Sequence, residues 1–145
     1  MQLRMSIPDL HAFLAEVFPQ IGERFEIAAL EPFAARVRMT ASEADLRPGG
    51  TVSGPAMFAL ADVSFYIATL AMIGPEALTV TTNCSIDFLR KPAPGPLEAE
   101  ARVLKLGRSL SVGDVLIHSE GVAGPVARAG LTYSIPPTRA GAATG

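Results

Sequence analysis

From Gly54 to Ile73 the chain reads GPAMFALADVSFYIATLAMI, and one residue in it, Asp62, carries a charge. Ser53, Gly54 and Pro55 before this run make a good helix start, since Ser caps and Pro tolerates the first turn. Gly74-Pro75 is an equally good stop. At 1.5 Å per residue the enclosed helix is roughly 30 Å long. Because it is apolar on every side, it has to be buried rather than lie on a surface. Its length is also near that of a membrane span. Asp62 at the centre, and the absence of the usual Lys/Arg flank, argue instead for the core helix of a soluble protein. A carboxylate in such a place needs a partner or a task, because an unpaired buried charge is costly.

The segments around this helix have a different period. Residues 7–21 carry Leu10, Phe13, Leu14, Val17 and Phe18 at helical spacing, with Asp9 near the start, which predicts a short amphipathic helix. Two strands, 24–30 and 33–39, follow as a hairpin about Glu31-Pro32, with Phe33, Ala35, Val37 and Met39 facing inward and Arg36 and Arg38 outward. Residues 41–53 read as a loop. Beyond the long helix come four strand-like runs. In 78–88, Leu78, Val80, Cys84, Ile86 and Phe88 alternate with Thr79, Thr81, Asn83, Ser85 and Asp87. The run from Leu97 alternates through Val103. Residues 110–119 form a strand with Gly113 as a candidate bulge. Ala127 to Ile135 gives the last strand, and a disordered tail is expected from Pro136 to Gly145. Short turns between these runs suit antiparallel neighbours, so the class is α+β, one domain over 1–135. A sheet of this size leaves edges, and edge-to-edge dimerisation follows naturally.

Composition narrows the function. Twelve Lys and Arg against fourteen Asp and Glu, a net charge of −2, leave no footprint for nucleic acid and no polybasic membrane patch. One cysteine, Cys84, excludes an internal disulfide and fits a reducing cytoplasm, and MQLRMSIPDLHAF has no signal-peptide pattern. His11 and His118 lie far apart, so neither a metal site nor a cofactor is expected.

Over residues 24–135 the chain resembles the hotdog-fold thioesterases, in particular the group related to the phenylacetate-pathway thioesterase PaaI. The resemblance rests on G-T-V-S-G-P-A-M-F-A-L-A-D-V (Gly50 to Val63), I-D-F-L-R (Ile86 to Arg90), a Pro-Gly turn and Gly107-Arg108. The family's G-x-x-H-G-G is followed, eight residues after the first Gly of its final pair, by an acid; Gly54 and Asp62 match these two. Ser53 stands where the family has His, Pro55 where it has the second Gly, and Arg47 where several members have a substrate-facing Asn.

The resemblance implies a curved sheet of five to six strands around the long helix. It also implies a homodimer or dimer of dimers, with an acyl-CoA thioester hydrolysed at a site shared by two subunits. In that reading the Gly54 N–H stabilises the developing oxyanion. Asp62 acts as general base or as nucleophile. Thr81, or Thr82 if the strand slips by one, helps hold the water. Arg47 and Pro55 border the substrate, and Arg90, Lys91 and Arg108 hold CoA phosphates. The residues also have plainer readings. Asp62 can bond Ser64 or a dimer partner, Ser53 can cap rather than attack, and the three basic residues can be ordinary strand-end charges. A non-catalytic acyl-CoA or acyl-carrier binding protein is therefore the alternative. A hydratase-type reaction ranks third, because neither His lies near the helix start.

Overall fold

The computed structural model describes residues 1–21 and 23–137. Most of the tail expected from Pro136 onward falls at residues 138–145, outside the described residues. In chain order the elements are α1 (Ile7–Val17), β1 (Phe25–Glu31), β2 (Ala34–Met39), α2 (Gly54–Ile73), β3 (Val80–Phe88), β4 (Leu97–Leu106), β5 (Leu110–Ser119) and β6 (Ala127–Ser134). All six strands join one antiparallel sheet in the order β1-β2-β4-β5-β6-β3. The sheet curves around α2, which is the hotdog arrangement that the resemblance implies. β1 and β3 are its edges.

The caps of α2 are those the sequence announces. The Ser53 hydroxyl accepts from the Ala56 N–H at 3.3 Å, and the Gly74 N–H donates to the Leu70 carbonyl at 2.8 Å. Pro75 has no N–H to offer the Ala71 carbonyl, and the Arg4 N–H takes that place at 2.7 Å, fastening the N-terminal segment to the helix end. α2 is long and apolar enough to cross a membrane, but most of it is enclosed by the protein's own sheet. Leu60, Phe65, Ile67 and Leu70 are fully buried, and burying each contributes about 1.5–3 kcal/mol.

Three local expectations shift in the structure. The β1–β2 turn is Pro32-Phe33, so Phe33 is a turn residue rather than an inward strand residue. Pro32 fixes the first central position, and the second, Phe33, takes φ 67°, its N–H lying 3.3 Å from Met72 Sδ. The helix expected over 7–21 ends at Val17, because Pro19 disfavours helical backbone at Phe18; a separate 3₁₀ turn, Pro19–Ile21, follows. Gly113 is not a bulge: it pairs with Val103, and the irregularity lies opposite, between Val103 and Lys105 of β4.

Gly113 is instead a place where α2 packs closely on the sheet. A Cβ there would collide with the Arg102 carbonyl oxygen and the Phe65 ring. Gly113→Ala is therefore expected to cost about 3 kcal/mol in overpacking. Urea denaturation checks it, and an unchanged midpoint would remove close approach as the reason for this glycine.

Candidate active site

The site is built from α2 and the edge strand β3. Tyr133 of β6 sits opposite Thr81, and Cys84, Ile86 and Phe88 sit opposite Leu131, Ala129 and Ala127. One residue, Thr82, is extra in this ladder: the register shifts between Thr81 and Asn83. The bulge reverses the phase of alternation. Thr79 and Thr81 share the helix-facing side with Cys84, Ile86 and Phe88, while Leu78 and Val80, expected on that face, are 74% and 52% exposed. Thr81 rather than Thr82 thus faces α2; the Thr82 hydroxyl donates to the Thr132 carbonyl at 3.2 Å.

Asp62 is half-buried where α2 passes this edge, rather than buried as its apolar surroundings in sequence imply. Its Oδ1 accepts from the Thr81 hydroxyl at 2.7 Å and from the Tyr133 hydroxyl at 2.7 Å. Tyr133 OH also lies 2.9 Å from the Asp62 carbonyl oxygen. Ser64 does not bond Asp62; its hydroxyl donates to the Leu60 carbonyl at 2.6 Å. Burial, and then the Asp62 charge, push the Tyr133 phenol well above its usual range, so it stays a donor at every working pH. Oδ2 of Asp62 has no partner among the described residues. Asp62 borders an open cavity of about 330 Å³ that is also lined by Phe18, Tyr66, Thr79, Val80, Thr81 and Tyr133. The hydroxyl of Thr79, a residue of this wall, is buried without a partner among the described residues.

Tyr133 was legible only as a core-facing strand residue. A buried Tyr hydroxyl ordinarily finds an acceptor, and the lone acid of α2 was the available one; that was the signal in the sequence.

At the other end, the first turn of α2 has few donors to spare. The Ala56 N–H goes to Ser53 and Pro55 has none, which leaves the Gly54 N–H unpaired among the described residues. The Phe88 ring covers this glycine, and a Cβ on it would lie 3.2 Å from Phe88 Cζ. Ahead of it, the Arg47–Thr51 turn closes with the Arg47 N–H on the Thr51 carbonyl at 2.9 Å and uses positive φ at Gly49 (99°) and Gly50 (81°). A second cavity, about 770 Å³, is lined by Arg47, Gly54, Pro55, Phe88, Arg90 and Lys91. Arg90 Nη1 donates to the Pro125 carbonyl at 2.6 Å, while Arg47 and Lys91 make no ion pair among the described residues.

Within one chain these two clusters stay apart. Eight residues of helix separate Gly54 from Asp62 by about 12 Å. Arg108, on the β4–β5 turn, lies near Ser134, whereas Arg90 follows Phe88, which pairs with Ala127. Seven strand residues, about 23 Å, separate those ends.

Residues 49–125 match the family model described as Thioesterase superfamily. A Saccharolobus solfataricus protein provisionally named an esterase is 30% identical over 115 residues, covering 77% of this chain and 73% of its own. The crystal structure of a provisionally named thioesterase from Silicibacter sp. TM1040 superposes with TM-score 0.87 at 57% identity, covering 94% of this chain and 96% of that one. A variant of the phenylacetic acid degradation protein PaaI from Thermus thermophilus superposes with TM-score 0.70 at 28% identity, covering 81% and 99%.

Tyr133→Phe removes one of two donors from the Asp62 carboxylate. Hydrogen bonds to charged groups contribute about 1.5–3 kcal/mol, and partial exposure puts this one near the lower figure. A loss of about 1.5 kcal/mol in urea-measured stability is expected; no loss would mean water replaces the phenol without cost.

Proposed function

Because this chain belongs to the thioesterase superfamily, we propose that it hydrolyses acyl-CoA or aryl-CoA thioesters to the free acid and CoA, at a site completed only by a second subunit. The observation that carries this reading is the division of labour along β3. Its Thr81 end touches Asp62, its Phe88 end covers Gly54, and it is an unpaired edge exposed along most of its length. A two-fold antiparallel pairing of this strand with its copy, about its midpoint at Cys84, sets Thr81 opposite Asp87 of the partner subunit, one residue from the end that covers Gly54. Asp62 then approaches Gly54 of the partner subunit, which the 12 Å within one helix forbids. The same pairing brings Arg108 to the end that carries Arg90 and Lys91 of the partner subunit, where all three can meet CoA phosphates. The product is a homodimer, which a dimer of dimers would extend, and the single cysteine suits a cytoplasmic setting.

The chemistry follows from the atoms left free. Thr81 and Tyr133 hold Oδ1 of Asp62 still, and Oδ2 takes a proton from water as the water oxygen attacks the thioester carbon. The carbonyl oxygen becomes an anion facing the Gly54 N–H of the partner subunit, the donor that neither the Ser53 cap nor Pro55 competes for. Collapse breaks the C–S bond, and the departing thiolate takes the proton from Asp62. Ser53 serves as the cap. The guanidinium of Arg47 and the ring of Pro55 border the partner's half of the substrate.

The test is a panel of acyl- and aryl-CoA esters with wild type and Asp62→Asn, alongside sedimentation at micromolar concentration. Wild type is expected to cleave some ester, Asp62→Asn to bind it and lose at least about 10²-fold in turnover. Both proteins should sediment as dimers or larger. Tight binding of CoA esters with no cleavage anywhere in the panel would favour the non-catalytic binding protein, and a stable monomer would remove the shared site.

A further inference from the structure

The wall of the Asp62 cavity includes a residue from outside the stretch that matches the family model. α1 ends at Val17, and its cap, Phe18, has φ −141° and ψ 56° with its N–H on the Leu14 carbonyl at 2.8 Å. Pro19 fixes that break in the helix. The consequence is that the Phe18 ring is turned against α2, edge-on to Tyr66 with centroids 6.3 Å apart and planes at 81°. Tyr66 stacks in turn on Tyr133 at 5.9 Å and 27°, and Tyr133 bonds Asp62. Phe18 is nevertheless 40% exposed.

Phe18 lines two open cavities. On one side of Phe18 lies the Asp62 cavity of about 330 Å³. On the other, between α1 and β1, lies a cavity of about 490 Å³ whose walls include Leu14, Ile21, Phe25, Ile27 and Ile67. Charged groups, Glu23 and Glu26, border it. Phe18 belongs to both walls, and its one aromatic contact among the described residues is the edge contact with Tyr66.

We propose that Phe18 is the partition that sets acyl length in this protein, resting on the thioester reading above. Acyl groups that end at the ring are held beside Asp62. Longer chains reach the Leu14, Ile21, Phe25, Ile27 and Ile67 side of the cavity under α1 only by displacing Phe18, so the ring discriminates against them. Apolar pockets of this kind separate chain lengths by about 10–200-fold per well-placed group. Phe18 touches no reacting atom in this scheme, so its removal is read in the ratio between chain lengths.

The experiment measures kcat/KM on butanoyl-, octanoyl- and hexadecanoyl-CoA for wild type, Phe18→Ala, and Phe18→Ala with Ala15→Trp, which refills the second cavity from α1. Phe18→Ala should raise the hexadecanoyl-to-butanoyl ratio of kcat/KM about 10-fold or more. The added Trp should return the ratio toward wild type. Phe18→Trp, which thickens the partition, should lower the octanoyl-to-butanoyl ratio and serves if the Ala variant folds poorly. If wild type cleaves thioesters but the ratios do not move, or no straight chain is accepted by wild type or Phe18→Ala while aryl esters are, the partition alone is overturned. If wild type cleaves no thioester at all, the thioester reading fails and the partition with it.

Discussion

A twenty-residue helix that is apolar on all sides persists in water only if other elements cover all of it. In this chain a six-stranded sheet does most of that work, and the closeness of the cover decides several residues. Gly113 exists as glycine because Phe65 and the Arg102 carbonyl occupy the place of a side chain. Thr69 and Ser111, buried at the same contact between α2 and β5, satisfy each other at 2.9 Å. The N-terminal segment completes the cover by bonding the carbonyl that Pro75 leaves free.

The cover is incomplete at β3, and the proposed site lies there. An open sheet has two edges, and this one ends beside the only charged residue of α2. Asp62 therefore meets an edge strand and a water-accessible cavity rather than the core, which removes most of the cost of burying it. The bulge at Thr82 matters here. Strict alternation would turn either Thr81 or the run Cys84-Ile86-Phe88 away from the helix, whereas one extra residue lets both ends of the strand face α2. The strand thereby contacts both Asp62 and Gly54, which its own helix keeps apart.

Much of this was readable from the sequence. The α2 caps lie in Ser53 and Gly74, the alternation in residues 97–103 marked a strand whose inward and outward faces the structure keeps, and 110–119 was legible as a strand. The candidate pair Gly54 and Asp62 followed from motif spacing. The misreadings have local causes. A bulge adds one residue without changing composition, so Leu78 and Val80 looked like core and the choice between Thr81 and Thr82 stayed open. The positive φ of Phe33 is imposed by Pro32 and a two-residue turn, not by any preference of Phe. Tyr133 and Phe18 look like ordinary core positions in a linear chain; only tertiary packing puts one on a carboxylate and the other between two cavities.

The central claim is that Asp62 and Gly54 work together only across two subunits. Mixing Asp62→Asn with Gly54→Ala, each folded and each nearly inactive, tests it directly. Subunit exchange makes mixed dimers in which one of the two sites has both native residues. Random exchange should then restore roughly a quarter of wild-type turnover. If exchange is complete by mass spectrometry and turnover stays at the sum of the two parents, the two residues do not form one site across the interface.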